Sequence, residues 1–188
     1  NSEVSLWSKQ LSALGLKLSL EQYNFFKVFK EHTLESIEKN ISNGSFNYLD
    51  KLSVTFSKGW ERSKKLEQSL LESLERDMAL GYTSKGPHRM DFTFKVENKK
   101  ASSNLSRGQI KILILLVFLS SIKLLKDLID IEILLMIDDL GSELDLSNLT
   151  SIVMKILESE NQIILTGIEG GDMHKSLKKM TNFTQINI

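Results

Sequence analysis

The chain has 188 residues, 41% of them hydrophobic and 26% charged, which suits an ordinary globular domain with or without an appendage. Lys+Arg and Asp+Glu balance at 24 each, with 11 of each in residues 1–80 and 13 of each after them. That excludes the broad basic excess of many nucleic-acid binders, so a nucleic-acid site has to be local or shared with a second chain. The absence of cysteine excludes disulfides and thiolate metal sites.

Residues 1–80 read as helical, with two glycines before Gly59 and no proline. Leu6, Leu11, Leu14 and Leu18 fall near helical spacing, and Ser19 is expected to cap a second helix that starts at Leu20. Tyr23, Phe26 and Phe29 line one side of it. Asn43-Gly44 signals a turn. A third helical segment is expected from Phe46 to Leu80, with Trp60, Leu66, Leu70, Leu71, Leu74 and Met78 as its apolar stripe. The mixed charges between them read as a solvated face, with a contact surface as the minority reading.

The texture changes at Gly81. Gly86-Pro87-His88-Arg89 contains the only proline and breaks the helix. Phe92–Val96 alternates like a half-buried strand. Glu97 to Lys100 reads as a turn and Ala101 to Asn104 as a polar loop. An apolar helix is expected over about residues 110–125. Its longest uninterrupted apolar run, Ile112 to Leu119, is far short of the roughly 20 residues that span a bilayer. The expectation is a buried helix, no membrane and no signal peptide, in keeping with a cytoplasmic setting. Ile133–Ile137 is apolar throughout and ends in Asp138-Asp139, the pattern of a central parallel strand buried on both faces. Leu149–Leu157 reads as a short amphipathic helix and Gln162–Thr166 as a second buried strand. Helix alternating with strand predicts an α/β layer with a parallel sheet.

Three motifs carry chemistry. Leu105-Ser106-Arg107-Gly108-Gln109 precedes the apolar helix. Unpaired amides at a helix start favour phosphate, and glycine lets it come close. Ser106 reads equally well as an ordinary N-cap. Asp138-Asp139 ends a strand where parallel sheets bind ligands. One carboxylate can hold Mg²⁺ and its neighbour can orient or deprotonate a water, or the pair can merely cap the next helix. Ser142-Glu143-Leu144-Asp145 is, alone, a turn or capping signal. His32, His88 and His174 lack metal-ligand spacing.

In this order the motifs resemble the signature, Walker B and D-loop of an ABC-type ATPase head. Ser-Arg-Gly-Gln, the Asp-Asp pair and Gly86-Pro87-His88-Arg89 followed by Asp91 are similar to the RecF family within that superfamily. The resemblance implies an α/β fold made of a helical lobe, residues 1–80, and the distal half of an ABC-type head with parallel strands, residues 81–188. That is an incomplete P-loop NTPase fold. No Gly-x-x-x-x-Gly-Lys-Ser/Thr loop occurs, so the chain is expected to be a fragment that lacks Walker A and does not turn over ATP alone. Gly167 stands where transporters keep a switch histidine.

For the whole protein the family implies ATP with Mg²⁺, an ATP-dependent homodimer, and single-stranded and gapped double-stranded DNA. It also implies RecR and RecO as partners in loading recombinase, with weak DNA-dependent ATPase activity. Carried over, Ser106, Gly108 and Gln109 would touch the γ-phosphate on the opposite subunit, with Arg107 beside it. Asp138 would help hold Mg²⁺, Asp139 would position water and Asp145 would report across the interface. The rivals are an SMC-like or other ABC head, and a helical interaction module on an inactive α/β scaffold.

Overall fold

The computed structural model describes residues 2–168, 171–181 and 183–186. Two compact units emerge, one of Asn1–Glu31 with Ser53–Lys95, the other of His32–Leu52 with Val96–Ile188.

The first helix, α1 (Ser2–Ser42), is a single helix of 41 residues rather than the two expected. Ser19 is buried in its interior and caps nothing. The helix ends at the foreseen turn, where Gly44 takes φ +82° and donates its amide to the Ile41 carbonyl at 2.8 Å.

In the first unit, the part of α1 up to Glu31 is joined by β1 (Leu52–Ser57), α2 (Leu66–Leu80), a short 3-10 turn at Pro87–Arg89 and β2 (Asp91–Val96), while the end of α1 from His32 belongs to the second unit. The helix expected from Phe46 therefore gives way to a 3-10 turn at Asn47–Leu49 and then to β1. Leu52, Val54 and Phe56 alternate with Ser53, Thr55 and Ser57, a period of two that no helix can use. Ser53 and Thr55 donate side-chain bonds to the carbonyls of Lys95 and Thr93, both at 3.5 Å, so β1 and β2 run in opposite directions. Against them packs the aromatic face of α1. Ring centroids lie 5.1 Å apart for Phe26 and Phe56, and 5.3 Å for Phe29 and Phe92. The Gly86-Pro87-His88-Arg89 element forms a tight turn. His88 Nε2 lies 2.8 Å from the Thr83 carbonyl, and the Gly86 amide donates to Gly59.

In the second unit, Glu97 and Asn98 take positive φ and turn the chain into β3 (Lys99–Lys100). There follow α3 (Ala101–Asn104), α4 (Arg107–Leu128), β4 (Leu134–Ile137), α5 (Leu146–Glu158), β5 (Gln162–Leu165) and α6 (Asp172–Met180). β4 and β5 are parallel, in the register Leu134↔Gln162 to Ile137↔Leu165. The core is built from Ile112, Leu113 and Leu116 of α4, Ile137, Leu140, and Leu149, Ile152, Val153 and Ile156 of α5. His32 and Thr33 join α4 through Ser120, whose hydroxyl is 3.0 Å from His32 Nδ1 and donates to Thr33 Oγ1 at 3.3 Å.

Two expectations are corrected here. α4 is buried along one face only; Ile114 and Phe118 are exposed, and by length and composition the helix could cross a membrane. β4 is not covered on both faces either. Ile137 is buried, but Leu134 and Met136 are exposed, as is Ile164 on β5. The physical reason is that side chains alternate between the faces of a strand, and only the face carrying Leu135 and Ile137 is covered among the described residues.

Candidate functional site

Parallel pairing brings the ends of β4 and β5 together, and the site begins there. The Thr166 amide donates to the Ile137 carbonyl at 3.1 Å, extending the ladder by one bond. The Thr166 hydroxyl then serves both aspartates. It accepts the Asp139 amide at 2.8 Å and donates to Asp138 Oδ1. Asp138 and Asp139 are exposed, and Asp139 takes φ +44°, in the left-handed region. Sequence reasoning misses Thr166; its only signal is its position as the last residue of an apolar strand.

The expected signature loop is a capped helix start. Ser106 Oγ accepts the Gln109 amide at 3.3 Å, and Gln109 Oε1 accepts the Ser106 amide at 2.9 Å. This capping box satisfies two of the amides that a helix N-terminus leaves unpaired. It also has a chemical consequence. As acceptors within the box, Ser106 keeps its O–H and Gln109 its side-chain amide as donors, so both can present hydrogen to an anion.

The two segments meet through the turn after the aspartates. A Cβ on Gly108 would fall 2.2 Å from the Glu143 carbonyl oxygen, so the absent side chain accommodates backbone. Arg107 lies 3.8 Å from Glu143, with both side chains largely in solvent, which makes this a weak pair. Lys111, one turn further along α4, donates to the Asp139 carbonyl at 2.6 Å, to Ser142 Oγ at 2.9 Å and to the Ser142 carbonyl at 3.3 Å. Lys111, too, carries no signal in the sequence.

Asp145 stands apart from the aspartate pair and caps α5. It accepts the Asn148 amide at 2.8 Å and the Asn148 side chain at 2.6 Å. The Asn148 backbone N–H, then its side chain, hold the Asp145 carboxyl below its ordinary range. Nearby, burial and secondarily the Asp145 charge push the Tyr48 phenol well above its usual value.

Oxygen donors at Asp138 suit Mg²⁺. No group of three or more His, Cys, Asp or Glu is placed to hold a metal ion among the described residues. An ion held by Asp138 would therefore complete its shell with water and phosphate, as Mg²⁺ commonly does.

A parallel strand pair, one strand ending in paired carboxylates beside a capped helix start, is the arrangement expected of the distal half of an ABC-type ATPase head. Comparisons with known proteins narrow the class. The chain is 34% identical over 170 residues to the DNA replication and repair protein RecF of Hahella chejuensis, covering 89% of the chain and 45% of that protein. It is 30% identical over 187 residues to RecF of Nitrosococcus oceani, covering 99% of the chain and 50% of that protein. Among solved structures it superimposes on the recombination mediator protein RecF with ATP, at TM-score 0.65 and 21% identity. That match covers 90% of the chain and 46% of the solved one. A second RecF structure, described as RecF-ATPrS, matches at TM-score 0.63. No family model matches the chain. The chain is thus RecF-like in sequence and in fold, and it spans about half the length of the curated relatives it matches.

Proposed function

We propose that this chain supplies the signature, Walker B and D-loop side of an ATP site in a RecF-like protein of DNA replication and repair. Residues 1–80 serve as the helix-rich lobe and residues 81–188 as the distal part of the head. Ser106, Gly108 and Gln109 meet the γ-phosphate of ATP held by a second subunit, with Arg107 adding a permanent cation. Asp138 helps hold Mg²⁺, which would neutralise phosphate charge. Asp139 orients water, and Asp145 reports across the dimer interface. In the cytoplasm the ATP-dependent homodimer holds single-stranded or gapped double-stranded DNA and works with RecO and RecR to load recombinase. The relatives' name, and the description of the solved structures as a recombination mediator in the RecFOR pathway with bound nucleotide, support this reading.

The observation that carries it is the joining of two motifs distant in sequence. The aspartate pair and the capped start of α4 are held on one turn, so a ligand at either is felt at the other. The test is Asp139→Asn in the full-length protein that carries this segment. ATP should still bind, while hydrolysis falls roughly 100-fold or more, as when a catalytic base is removed. Wild-type turnover in that variant would overturn the role given to Asp139.

A further inference from the structure

We propose that Lys111 is a positioning residue for the aspartate pair, fixing the turn that carries Asp139 to the helix that begins with the signature loop. The inference rests on reading these motifs as one side of an ATP site.

The argument starts from what an ammonium can do. Lys111 has three N–H donors and meets three acceptors, the Asp139 carbonyl, Ser142 Oγ and the Ser142 carbonyl. Asp138, Asp139 and Glu143 all lie close in sequence to these acceptors, yet every one the cation takes is an uncharged oxygen. The lysine is therefore organising backbone. It lies four residues after Arg107 and three after Gly108, on the face of α4 that meets the turn. Its bonds continue a contact already made where Gly108 lets the Glu143 carbonyl come close.

Asp139 shows what is being organised. Its φ of +44° is uncommon for a residue with a side chain, and such a conformation persists only where its surroundings hold it. Here the carbonyl accepts from Lys111, from the Ser142 amide at 3.3 Å and from the Ser142 hydroxyl at 3.1 Å. The amide donates to Thr166. The backbone of Asp139 is thus fixed on both sides, whereas its carboxylate is exposed and makes no hydrogen bond to the described residues. A locked backbone that presents an unengaged carboxylate is a preorganised acceptor for a water. Two of the locking groups come from the turn itself and one from the end of β5. Lys111 is the one that belongs to the signature helix. A displacement of the α4 N-terminus by nucleotide is therefore transmitted to Asp139 through this side chain.

The test compares Lys111→Met, which keeps the length and loses charge and donors, with Lys111→Arg, which keeps both. In the full-length protein carrying this segment, ATP affinity should stay within about two-fold in Lys111→Met. Single-turnover hydrolysis should fall about ten-fold or more, equivalent to ~1.4 kcal/mol of barrier. Lys111→Arg should recover most of that loss. Hydrogen exchange at the Ser142 amide should quicken in Lys111→Met, with Ser142→Ala as a milder variant at the same junction should the first fail to fold. A purely structural lysine would lower the melting temperature and leave turnover per folded molecule unchanged, and that result overturns the proposal. Absence of ATP turnover in the wild-type protein overturns instead the ATP-site reading beneath it.

Discussion

Replacing Gly108 with Ala tests the docking of the signature loop through the sign of its effect. At an open position near a helix start, Gly→Ala is favourable by up to about 1 kcal/mol, because alanine loses less backbone freedom. At Gly108 the new Cβ would lie 2.2 Å from the Glu143 carbonyl oxygen, 3.3 Å from its carbon and 3.5 Å from Leu144 Cδ2. The first contact needs to open by about 1 Å, and its partner is backbone that cannot rotate away. Overpacking of this kind costs ~1–3 kcal/mol. Set against the helix gain, the net effect is a destabilisation of about 1–2 kcal/mol. For a chain of this length that is a fall in melting temperature of roughly 2–8 °C. Thermal and urea unfolding of the 188-residue chain measure it. Gly141→Ala is the control, since its Cβ would sit at an ordinary 3.5 Å from Met173 Cβ. Gly167→Ala would press on Met173 Cε at 2.3 Å, but that is the free end of a flexible side chain and should swing aside at small cost. A Gly108→Ala variant that melts above wild type would refute the close approach of the two loops.

The same geometry fixes three further outcomes. Thr166→Val keeps the shape and removes the hydroxyl shared by Asp138 and Asp139, so stability in urea should drop by about 1 kcal/mol while Thr166→Ser stays near wild type; equal stability of all three would mean the bridge contributes nothing. Asp145→Ala removes an N-cap and should cost ~1 kcal/mol at neutral pH. Because the folded carboxyl is held below its unfolded value, that contribution is present above about pH 4 and is lost as pH falls through the folded value. The gap between wild type and Asp145→Ala should therefore narrow below about pH 4, and a gap constant from pH 7 to 3 would contradict the assignment. The open face of β4, where Met136 is 69% exposed, should make the chain self-associate with concentration in ultracentrifugation, and Met136→Lys should reduce this without loss of stability; a wild-type chain that stays monomeric at high concentration would contradict the first expectation, and undiminished association in the variant would place the sticky surface elsewhere.

What the sequence makes legible is what repeats or punctuates locally. Ile133–Ile137 with its terminal aspartates, the capped start at Ser106 and the turn at Asn43-Gly44 declare themselves within a few residues. The strand Leu52–Ser57 is equally legible as an alternation but is absorbed into an expected helix, because the charged segments around it are helical in character. The opposite error at Ser19 arises because a serine flanked by leucines reads as a cap when its burial is unknown. Thr166 and Lys111 are beyond reach for a different reason. Each acts on Asp139 from 27 or 28 residues away, and that distance closes only when strand register and helix packing are set. Gly108 stands out in the sequence for the room it gives a phosphate, and the fold adds a second demand on the same missing side chain, the close approach of the Glu143 carbonyl.

The parallel pairing of β4 and β5 also imposes an order in time. A parallel pair cannot be closed by a hairpin and waits for a crossover, here α5. The capping box at Ser106 closes within three residues, but the bond between Asp138 and Thr166 joins residues 28 apart. On a ribosome that adds about 5–20 residues each second, the start of α4 can be capped while the aspartates still hang from an unpaired strand. Loss of the chain beyond Leu165, by early termination or proteolysis, would leave the signature helix start intact and the carboxylates without their bridge. The two motifs therefore differ in vulnerability to truncation, although the finished fold holds them on a single turn.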